Sequence, residues 1–173
     1  MLRLLLLRHA KSAWPDGVAD RDRPLAERGK RGAVAIGSYM AENGLLPAVA
    51  LVSPARRTIE TWDIATRGWP PHTPPTYEDA LYEASPDALL AVVRRQTGRS
   101  PLLIVGHNPG MEGLAALLLK RAHRTRVLPK YPTGALAVID LPAGEWSGVA
   151  PGEGTLERFV TPRALGVAKT DAD

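Results

Sequence analysis

Short apolar runs separated by longer amphipathic segments set the pattern of this chain. Five runs have the length and composition of strands: residues 4–7, 49–52, 102–105, 135–141 and 155–160. The earlier runs are continuously apolar rather than alternating, which indicates strands buried on both faces of a sheet. The last run follows a Gly- and Pro-rich stretch and is predicted to form an edge strand.

Helical patterns fill the intervals between these runs. Residues 27–43 place Ala33, Ile36 and Met40 on one face and end before Gly44, a residue type typical of helix C-caps. Internal glycines make this segment a weak helix former. Three more helices are predicted to begin with a capping residue followed by proline, at Ser53-Pro54, Ser85-Pro86 and Asn108-Pro109.

The alternation of strands with helices predicts an α/β fold with a mostly parallel central sheet. No repeat, low-complexity segment or linker divides the chain, so we expect a single domain over residues 1–173. Residues 161–173 carry no strong pattern and are expected to form a loose tail.

Composition excludes several classes of chemistry. The chain has no cysteine, which rules out disulfides, thiolate zinc sites and a cysteine nucleophile. The apolar run of four residues near the start is shorter than the ~7–15 residues of a signal-peptide core, and nothing approaches the ~18 of a membrane span. We therefore expect a cytoplasmic protein with no membrane contact.

A positive charge excess points to an anionic partner. The formal net charge is +4 and the sequence pI is about 9.7. The basic residues are scattered, and neither an RNA-recognition nor a zinc-finger signature is present. A phosphorylated molecule is therefore the favoured partner, and nucleic acid is not expected.

Polar residues follow three of the predicted strands directly. These are Arg8-His9, the segment from Ser53 to Arg57, and Gly106-His107. Ligands of α/β sheets bind beyond the carboxyl ends of the strands, so these residues are expected to meet. A single histidine there would most simply be a capping or surface residue, but two at equivalent strand ends favour a functional site.

The adjacent Arg56 and Arg57 stand at the wrong end of a helix for their charge. With Ser53 as the cap they occupy the third and fourth helical positions, where the macrodipole opposes a cation by about 0.3–1 kcal/mol. A bound anion such as phosphate would remove that cost. Arg56 can instead pair with Glu60 one turn away and face water, so Arg57 is assigned to the site.

Competing motifs fail on particular residues. The segment Gly106-His107-Asn108-Pro109-Gly110 has the glycine spacing of a nucleophile elbow, but Asn108 stands where the serine nucleophile would be. No P-loop sequence occurs. Arginines beside His9 and His107 would repel a divalent metal ion, and we expect neither a metal nor an organic cofactor.

These motifs, taken in order along the chain, resemble those of a known family. Arg8-His9 resembles the R-H-G signature of the histidine phosphatase superfamily, the phosphoglycerate mutase-like fold. The spacing Ser53-x-x-x-Arg57-x-x-x-Thr61 resembles its second arginine motif, and Gly106-His107 its second histidine. Four segments of the chain resemble the SixA-type phosphohistidine phosphatase branch of that superfamily. They are Arg23-Pro24-Leu25 with Gly29, Leu81-Tyr82-Glu83-Ala84, Gly106-His107-Asn108-Pro109-Gly110 and Phe159-Val160-Thr161-Pro162-Arg163. The resemblance covers essentially the whole chain.

The resemblance implies a three-layer α/β/α sandwich and a role for each matching residue. His9 would accept the phosphoryl group, while Arg8, Arg57 and His107 would hold its oxygens. Glu83 stands where many members keep a proton donor and is assigned that catalytic role, with a solvated loop carboxylate as the alternative.

Two further residues are candidates at this site, and two departures from the family pattern bear on it. Ser12 could donate to phosphate or only close its loop. Asn108 could touch the ligand or only cap its helix. Ala10 replaces the usual glycine beside the nucleophile, and Ala26 stands at a helix-cap position where Ser or Thr is expected.

The resulting hypothesis is a phosphatase that forms a covalent intermediate on His9, with a protein phosphohistidine as substrate. A small-metabolite phosphomonoesterase is the alternative among enzymes, but a chain of 173 residues leaves little room for a substrate lid. A non-catalytic phosphate-recognition module is the alternative from another class. His9 argues against it, because binding alone needs no nucleophile.

Overall fold

The computed structural model describes residues 1–127 and 130–169. Its six strands are β1 (Leu2–Arg8), β2 (Val49–Val52), β3 (Thr76–Tyr77), β4 (Leu102–Gly106), β5 (Leu136–Leu141) and β6 (Thr155–Val160). Its α-helices are α1 (Glu27–Glu42), α2 (Arg56–Ala65), α3 (Pro86–Arg94) and α4 (Gly110–Leu118). Short 3-10 helices cover Asp20–Asp22, Asp79–Leu81, Arg121–Arg126, Trp146–Gly148 and Arg163–Leu165.

The strands form one mixed sheet in the order β3-β2-β4-β1-β5-β6. Strand β1 is parallel to β4 and antiparallel to β5, and β2 is parallel to both β4 and β3. The carboxyl ends of β1, β2 and β4 therefore lie side by side at one edge of the sheet. This arrangement confirms the predicted α/β class and brings the three polar segments together.

Two apolar layers enclose the sheet. Leu4 and Leu6 of β1 face one cluster, to which α3 and α4 contribute Leu89 and Leu114. Leu5 and Leu7 face the opposite cluster with Ile36 and Met40 of α1 and Trp62 of α2. Because successive strand side chains point to opposite faces, a continuously leucine-rich strand fills both layers. The three-layer sandwich is confirmed.

Two of the three predicted helix starts are wrong. Only α3 begins as expected, where Ser85 Oγ accepts from the Ala88 N–H at 3.1 Å and Pro86 is the first helical residue. Helix α2 begins at Arg56 and α4 at Gly110, each one or two residues later than predicted. Ser53 is used elsewhere, because its hydroxyl bonds to His107 across the sheet edge.

Two other segments differ from the predictions. The two-residue strand β3 was not predicted, because Thr76 and Tyr77 are too short a run to show a period. Residues 161–169 are not a loose tail: Arg163–Leu165 forms a 3-10 helix, and Leu165 packs against the core. Residues 170–173 lie outside the described part of the chain. No helix within that part is long and apolar enough to cross a membrane.

The glycines that weaken α1 as a helix are required by its packing. A Cβ at Gly29 would collide with the Lys11 carbonyl oxygen, and one at Gly37 with the Ala65 carbonyl oxygen. Both positions face neighbouring backbone, so α1 lies closer to the loop after β1 and to α2 than a helix with side chains there could.

Adding a hydroxyl at the start of α1 is expected to stabilise the protein. Ala26 is the N-cap and makes no side-chain capping bond. Ala26→Ser supplies the missing acceptor and should raise the free energy of unfolding by about 1 kcal/mol. Urea denaturation measures this, and Ala91→Ser, at an exposed position inside α3, is the control and should lower it by about 0.5 kcal/mol. An equal change in both variants would contradict the capping argument.

Candidate active site

His9 follows β1 directly and is buried, with 7% of its surface exposed. Its Nδ1 lies 2.7 Å from the Ala10 carbonyl oxygen, which can only accept, so Nδ1 carries the hydrogen and Nε2 keeps a lone pair. Burial lowers the pKa of His9 to about 3, although the Ala10 hydrogen bond opposes this, and the positive charges of His107, Arg57 and Arg8 add to the lowering. The ring is therefore neutral at pH 7 and equipped to act as a nucleophile.

His107 follows β4 and faces His9, with the two ring centroids 5.4 Å apart. Its Nε2 lies 2.7 Å from Ser53 Oγ, while Nδ1 is buried without a hydrogen-bond partner among the described residues. Burial, with Arg57 adding to it, lowers the pKa of His107 to about 4. The structure thus brings together the two histidines that the sequence placed at strand ends.

Arg8 is the last residue of β1, and one end of its guanidinium is anchored. Nη1 donates to the Tyr131 carbonyl oxygen at 2.8 Å. Burial lowers the pKa of Arg8, with Glu112 opposing that effect. The group remains a cation at any physiological pH, because an arginine pKa begins above 12.

The two adjacent arginines of α2 separate as predicted. Arg56 is exposed, and its Nε lies 3.5 Å from Glu60 Oε1. Arg57 is buried, and it donates from Nη1 to the Asp20 carbonyl oxygen at 2.8 Å and from Nη2 to Asp20 Oδ2 at 3.1 Å. They are the first two residues of the helix rather than the third and fourth, so Arg57 lies even closer to the positive end of the macrodipole.

The buried polar atoms without partners gather in this site. Four buried side-chain nitrogen or oxygen atoms in the described residues lack a hydrogen bond, and three of them are Arg8 Nε, Arg57 Nε and His107 Nδ1. A buried unsatisfied donor costs about 1–3 kcal/mol, so native proteins rarely leave several in one place without a purpose. All three belong to the residues expected to hold phosphoryl oxygens, and each can donate to an anion.

Asp20 is the functional residue that sequence reasoning missed. Besides Arg57, its carboxylate accepts from Arg23 Nη1 at 2.9 Å and from the Tyr82 hydroxyl in a short hydrogen bond. These three donors, Tyr82 foremost, hold the pKa of Asp20 well below its usual range. Asp20 therefore fixes the direction of the Arg57 guanidinium. The only sequence signal was its spacing of three residues from Arg23, which is common on surfaces.

Ser12 and Asn108 support the site from outside it. Ser12 Oγ accepts a short hydrogen bond from Arg23 Nη2, and the residue is buried. Asn108 donates from Nδ2 to the Tyr131 carbonyl oxygen at 3.1 Å and accepts from the Glu112 N–H at 3.2 Å. Both ends of the Asn108 amide are engaged, which favours capping over ligand contact, and the Ser12 contact favours closure of its loop.

Glu83 follows directly after Tyr82, whose ring contacts His107, and has a strained backbone conformation. It is exposed and has a φ of 55°, a positive value that no other non-glycine residue of the described chain adopts. Such backbone costs about 1–3 kcal/mol and is commonest at functional sites. The ring of the preceding Tyr82 packs edge-on against His107, with centroids 5.5 Å apart. The turn therefore places Glu83 directly after a side chain that contacts His107.

Comparisons with known proteins agree with this geometry. Residues 4–89 match the family model of the histidine phosphatase superfamily, branch 1. An uncharacterised Mycobacterium tuberculosis protein, Rv1276c, is 40% identical over 165 residues, which are 91% of this chain and 100% of that protein.

Two solved structures are similar over nearly their whole length. The first comes from Agrobacterium tumefaciens and is named as the phosphohistidine phosphatase SixA. It is 31% identical in sequence, with a TM-score of 0.80, and the match covers 93% of this chain and 98% of that one. The second comes from Nakamurella multipartitia and carries the same name. It is 30% identical in sequence, with a TM-score of 0.77, and the match covers 93% of this chain and 96% of that one. Fold, site and sequence similarity together support phosphatase activity. The chain belongs to the histidine phosphatase superfamily and is of the SixA type.

Proposed function

We propose that this protein hydrolyses a phosphoryl group carried on a histidine of another protein, through a phosphohistidine intermediate on His9. The observation that carries the proposal is the set of buried, unpartnered nitrogens of Arg8, Arg57 and His107 around a neutral His9. Two cations and an imidazole N–H can neutralise the equatorial oxygens of a phosphoryl group in transfer. The similarity to SixA-named structures supports the same reaction.

The first step is an in-line displacement at phosphorus. The lone pair on His9 Nε2 forms an N–P bond, while the bond from phosphorus to the substrate imidazole breaks. The phosphorylated ring of the substrate already carries a proton on its other nitrogen, and the electron pair of the broken bond returns to the nitrogen that bore phosphorus, so the ring departs as neutral imidazole. The hydrogen bond from Nδ1 to the Ala10 carbonyl oxygen keeps Nε2 aimed at phosphorus and stabilises the ring as charge develops on it.

The second step returns the enzyme to its starting state. Water attacks the same phosphorus, the His9 N–P bond breaks, and its electron pair returns to Nε2. Inorganic phosphate leaves, and the proton lost by water is released to solvent. Arg57, held by Asp20, and Arg8, held by the Tyr131 carbonyl, keep their positions through both steps and need no reorganisation.

A substrate panel tests this function. The protein is incubated with a phosphohistidine-bearing protein, p-nitrophenyl phosphate and sugar phosphates, and released phosphate is measured. We expect kcat/KM to be highest for phosphohistidine, and an alkaline quench to trap a phosphoenzyme that is absent in His9→Ala. Hydrolysis of none of these compounds would leave only a phosphate-recognition role and would overturn the proposal.

The strained turn at Glu83 favours a second candidate, a small-metabolite phosphomonoesterase. An alcohol leaving group needs a proton from a positioned acid, worth about 10²–10⁴ in rate, whereas a protonated imidazole needs none. Glu83→Gln is therefore expected to lower kcat for a sugar phosphate, whose leaving group is an alcohol, by about 10²-fold and to change phosphohistidine hydrolysis by less than about threefold.

Glu78→Gln is the control for this comparison, since Glu78 is a partly exposed carboxylate that accepts a hydrogen bond from the nearby Ala80 N–H. It should leave both reactions unchanged. Equal losses for the two substrates in Glu83→Gln would instead favour the metabolite reaction.

Neither active-site histidine is expected to titrate between about pH 5.5 and 8 when phosphate is absent. The folded pKa values of about 3 for His9 and about 4 for His107 lie below this window, so both rings stay neutral in it. Their Cε1–H resonances, assigned with His9→Ala and His107→Gln and followed by NMR, should move only below about pH 5. A midpoint for His9 near the ordinary value of about 6.5 would contradict a permanently neutral nucleophile.

A further inference from the structure

A basic groove lies beside the active site. It has a volume of about 790 Å³, and its walls are the start of α1, the loop after β1, the segment before β5, and residues 161–169. Five of its lining residues are cationic: Lys11, Arg28, Lys130, Arg163 and Lys169. None of the described lining residues is Asp or Glu. Its volume falls within the roughly 300–1,000 Å³ typical of ligand sites.

The basic groove is separate from the phosphoryl site but adjoins it. None of Arg8, His9, Arg57 and His107 lines it, while Ala10, the residue after the nucleophile, does. The Gly134 N–H donates to the His9 carbonyl oxygen at 2.9 Å, which holds the segment before β5 against the end of β1. Tyr131, whose carbonyl anchors Arg8, lies between the lining residues Lys130 and Pro132. The groove therefore begins one residue from the nucleophile and shares the segment that anchors Arg8.

Two cations of the groove have no counter-charge among the residues that the structure describes. Lys130 and Arg163 are exposed, and neither has a carboxylate partner in the described part of the chain. Other arginines do have one, as Arg3 has Asp140 at 2.7 Å and Arg158 has Glu157 at 2.6 Å. Like charges around one cavity repel one another and raise its positive potential, and an anionic ligand relieves both effects.

We propose that the basic groove binds an acidic segment of the phosphoprotein substrate, next to the phosphohistidine. This inference rests on the proposed function. The groove favours a peptide over a small polyanion because Pro132, Pro162 and Val167 present apolar surface between the cations. A polyphosphate would leave that surface uncovered, whereas a peptide places carboxylates on the cations and aliphatic side chains on the prolines and valine.

Binding to a labelled acidic peptide tests this without requiring turnover. The probe is a fluorescein-labelled ten-residue peptide of alternating Glu and Ala, followed by fluorescence anisotropy in ~50 mM salt. The double variant Lys130→Glu/Arg163→Glu is expected to raise its Kd at least about tenfold. The control, Arg95→Glu/Arg99→Glu, changes net charge equally at exposed residues outside the groove and should change Kd less than about twofold.

Activity assays separate this inference from the proposed function. For p-nitrophenyl phosphate, which does not reach the groove, kcat/KM should stay within about twofold in both double variants. For an acidic peptide carrying phosphohistidine, Lys130→Glu/Arg163→Glu should lower kcat/KM about tenfold, mainly through KM. If the wild type hydrolysed none of these substrates, the proposed function would be wrong. The comparison of acidic-peptide binding would still test the groove.

Three results would overturn the inference. One is that the wild type does not bind the acidic peptide. The second is an equal rise in Kd in the groove and control variants, which would mean that net charge alone attracts the peptide. The third is tighter, groove-dependent binding of tripolyphosphate than of the peptide, which would identify a small-polyanion site instead.

Discussion

His9→Ala is expected to lower kcat for any phosphorylated substrate by roughly 10³- to 10⁶-fold, because loss of the nucleophile removes the covalent route entirely. The fold should persist, since within residues 1–127 and 130–169 the His9 side chain makes one hydrogen bond, to the adjacent Ala10 carbonyl oxygen. Steady-state kinetics measures the loss, and circular dichroism with urea denaturation checks the fold.

The control for this variant is His72→Ala. His72 is exposed and packs against Trp62 and Trp69, away from the strand ends that carry the site. Its removal should leave kcat within about twofold of the wild type, as expected of surface substitutions away from the chemistry. If His9→Ala retained a tenth of the wild-type rate, the covalent mechanism would be wrong and direct attack by water would replace it.

Arg57→Ala should lower kcat/KM by about 10²–10³-fold, the usual cost of removing one preorganised donor from a developing anion. The loss should also weaken competitive inhibition by inorganic phosphate or vanadate. Arg57→Lys should recover only part of the activity. The three donors of an ammonium group lie on one nitrogen, so lysine cannot reproduce the planar fork in which Nη1 and Nη2 bind Asp20 and Nε is left for the ligand.

The adjacent arginine provides a matched control for this prediction. Arg56→Ala removes the same charge from the same helix terminus, but its guanidinium is exposed and pairs only with Glu60. Activity should therefore change less than about twofold, in keeping with the small contribution of surface ion pairs. Comparable losses in Arg56→Ala and Arg57→Ala would attribute the effect to net charge and remove Arg57 from the site.

Local pattern was enough to predict which polar segments meet at one edge of the sheet. Three apolar runs end at Arg8-His9, at the segment leading to Arg57, and at Gly106-His107, and the structure aligns those ends at one sheet edge. The spacing between Arg56 and Glu60 also separated the two arginines correctly. These features follow from hydrophobic period and helical spacing, which act over a few residues.

The helix starts show where local pattern misleads. Ser53-Pro54 and Ser85-Pro86 look alike in sequence, yet only Ser85 caps a helix. The hydroxyl of Ser53 instead binds a histidine 54 residues away, and nothing near Ser53 in the sequence shows that competing partner. Side-chain oxygen atoms bind whichever donor the fold brings close, so a cap motif is reliable only when no tertiary partner competes.

The α/β class, the strands that end at the candidate site, and the two histidines and two arginines proposed for it all followed from local pattern in the sequence. The contacts that hold those groups, and the surfaces around them, became visible in the folded molecule alone. Asp20 reaches Arg57 across 37 residues and Tyr82 across 62, and the basic groove is assembled from four separate segments. Hydrophobic periodicity encodes which elements form, whereas side-chain networks and cavities depend on how distant elements pack, a property that no local pattern contains.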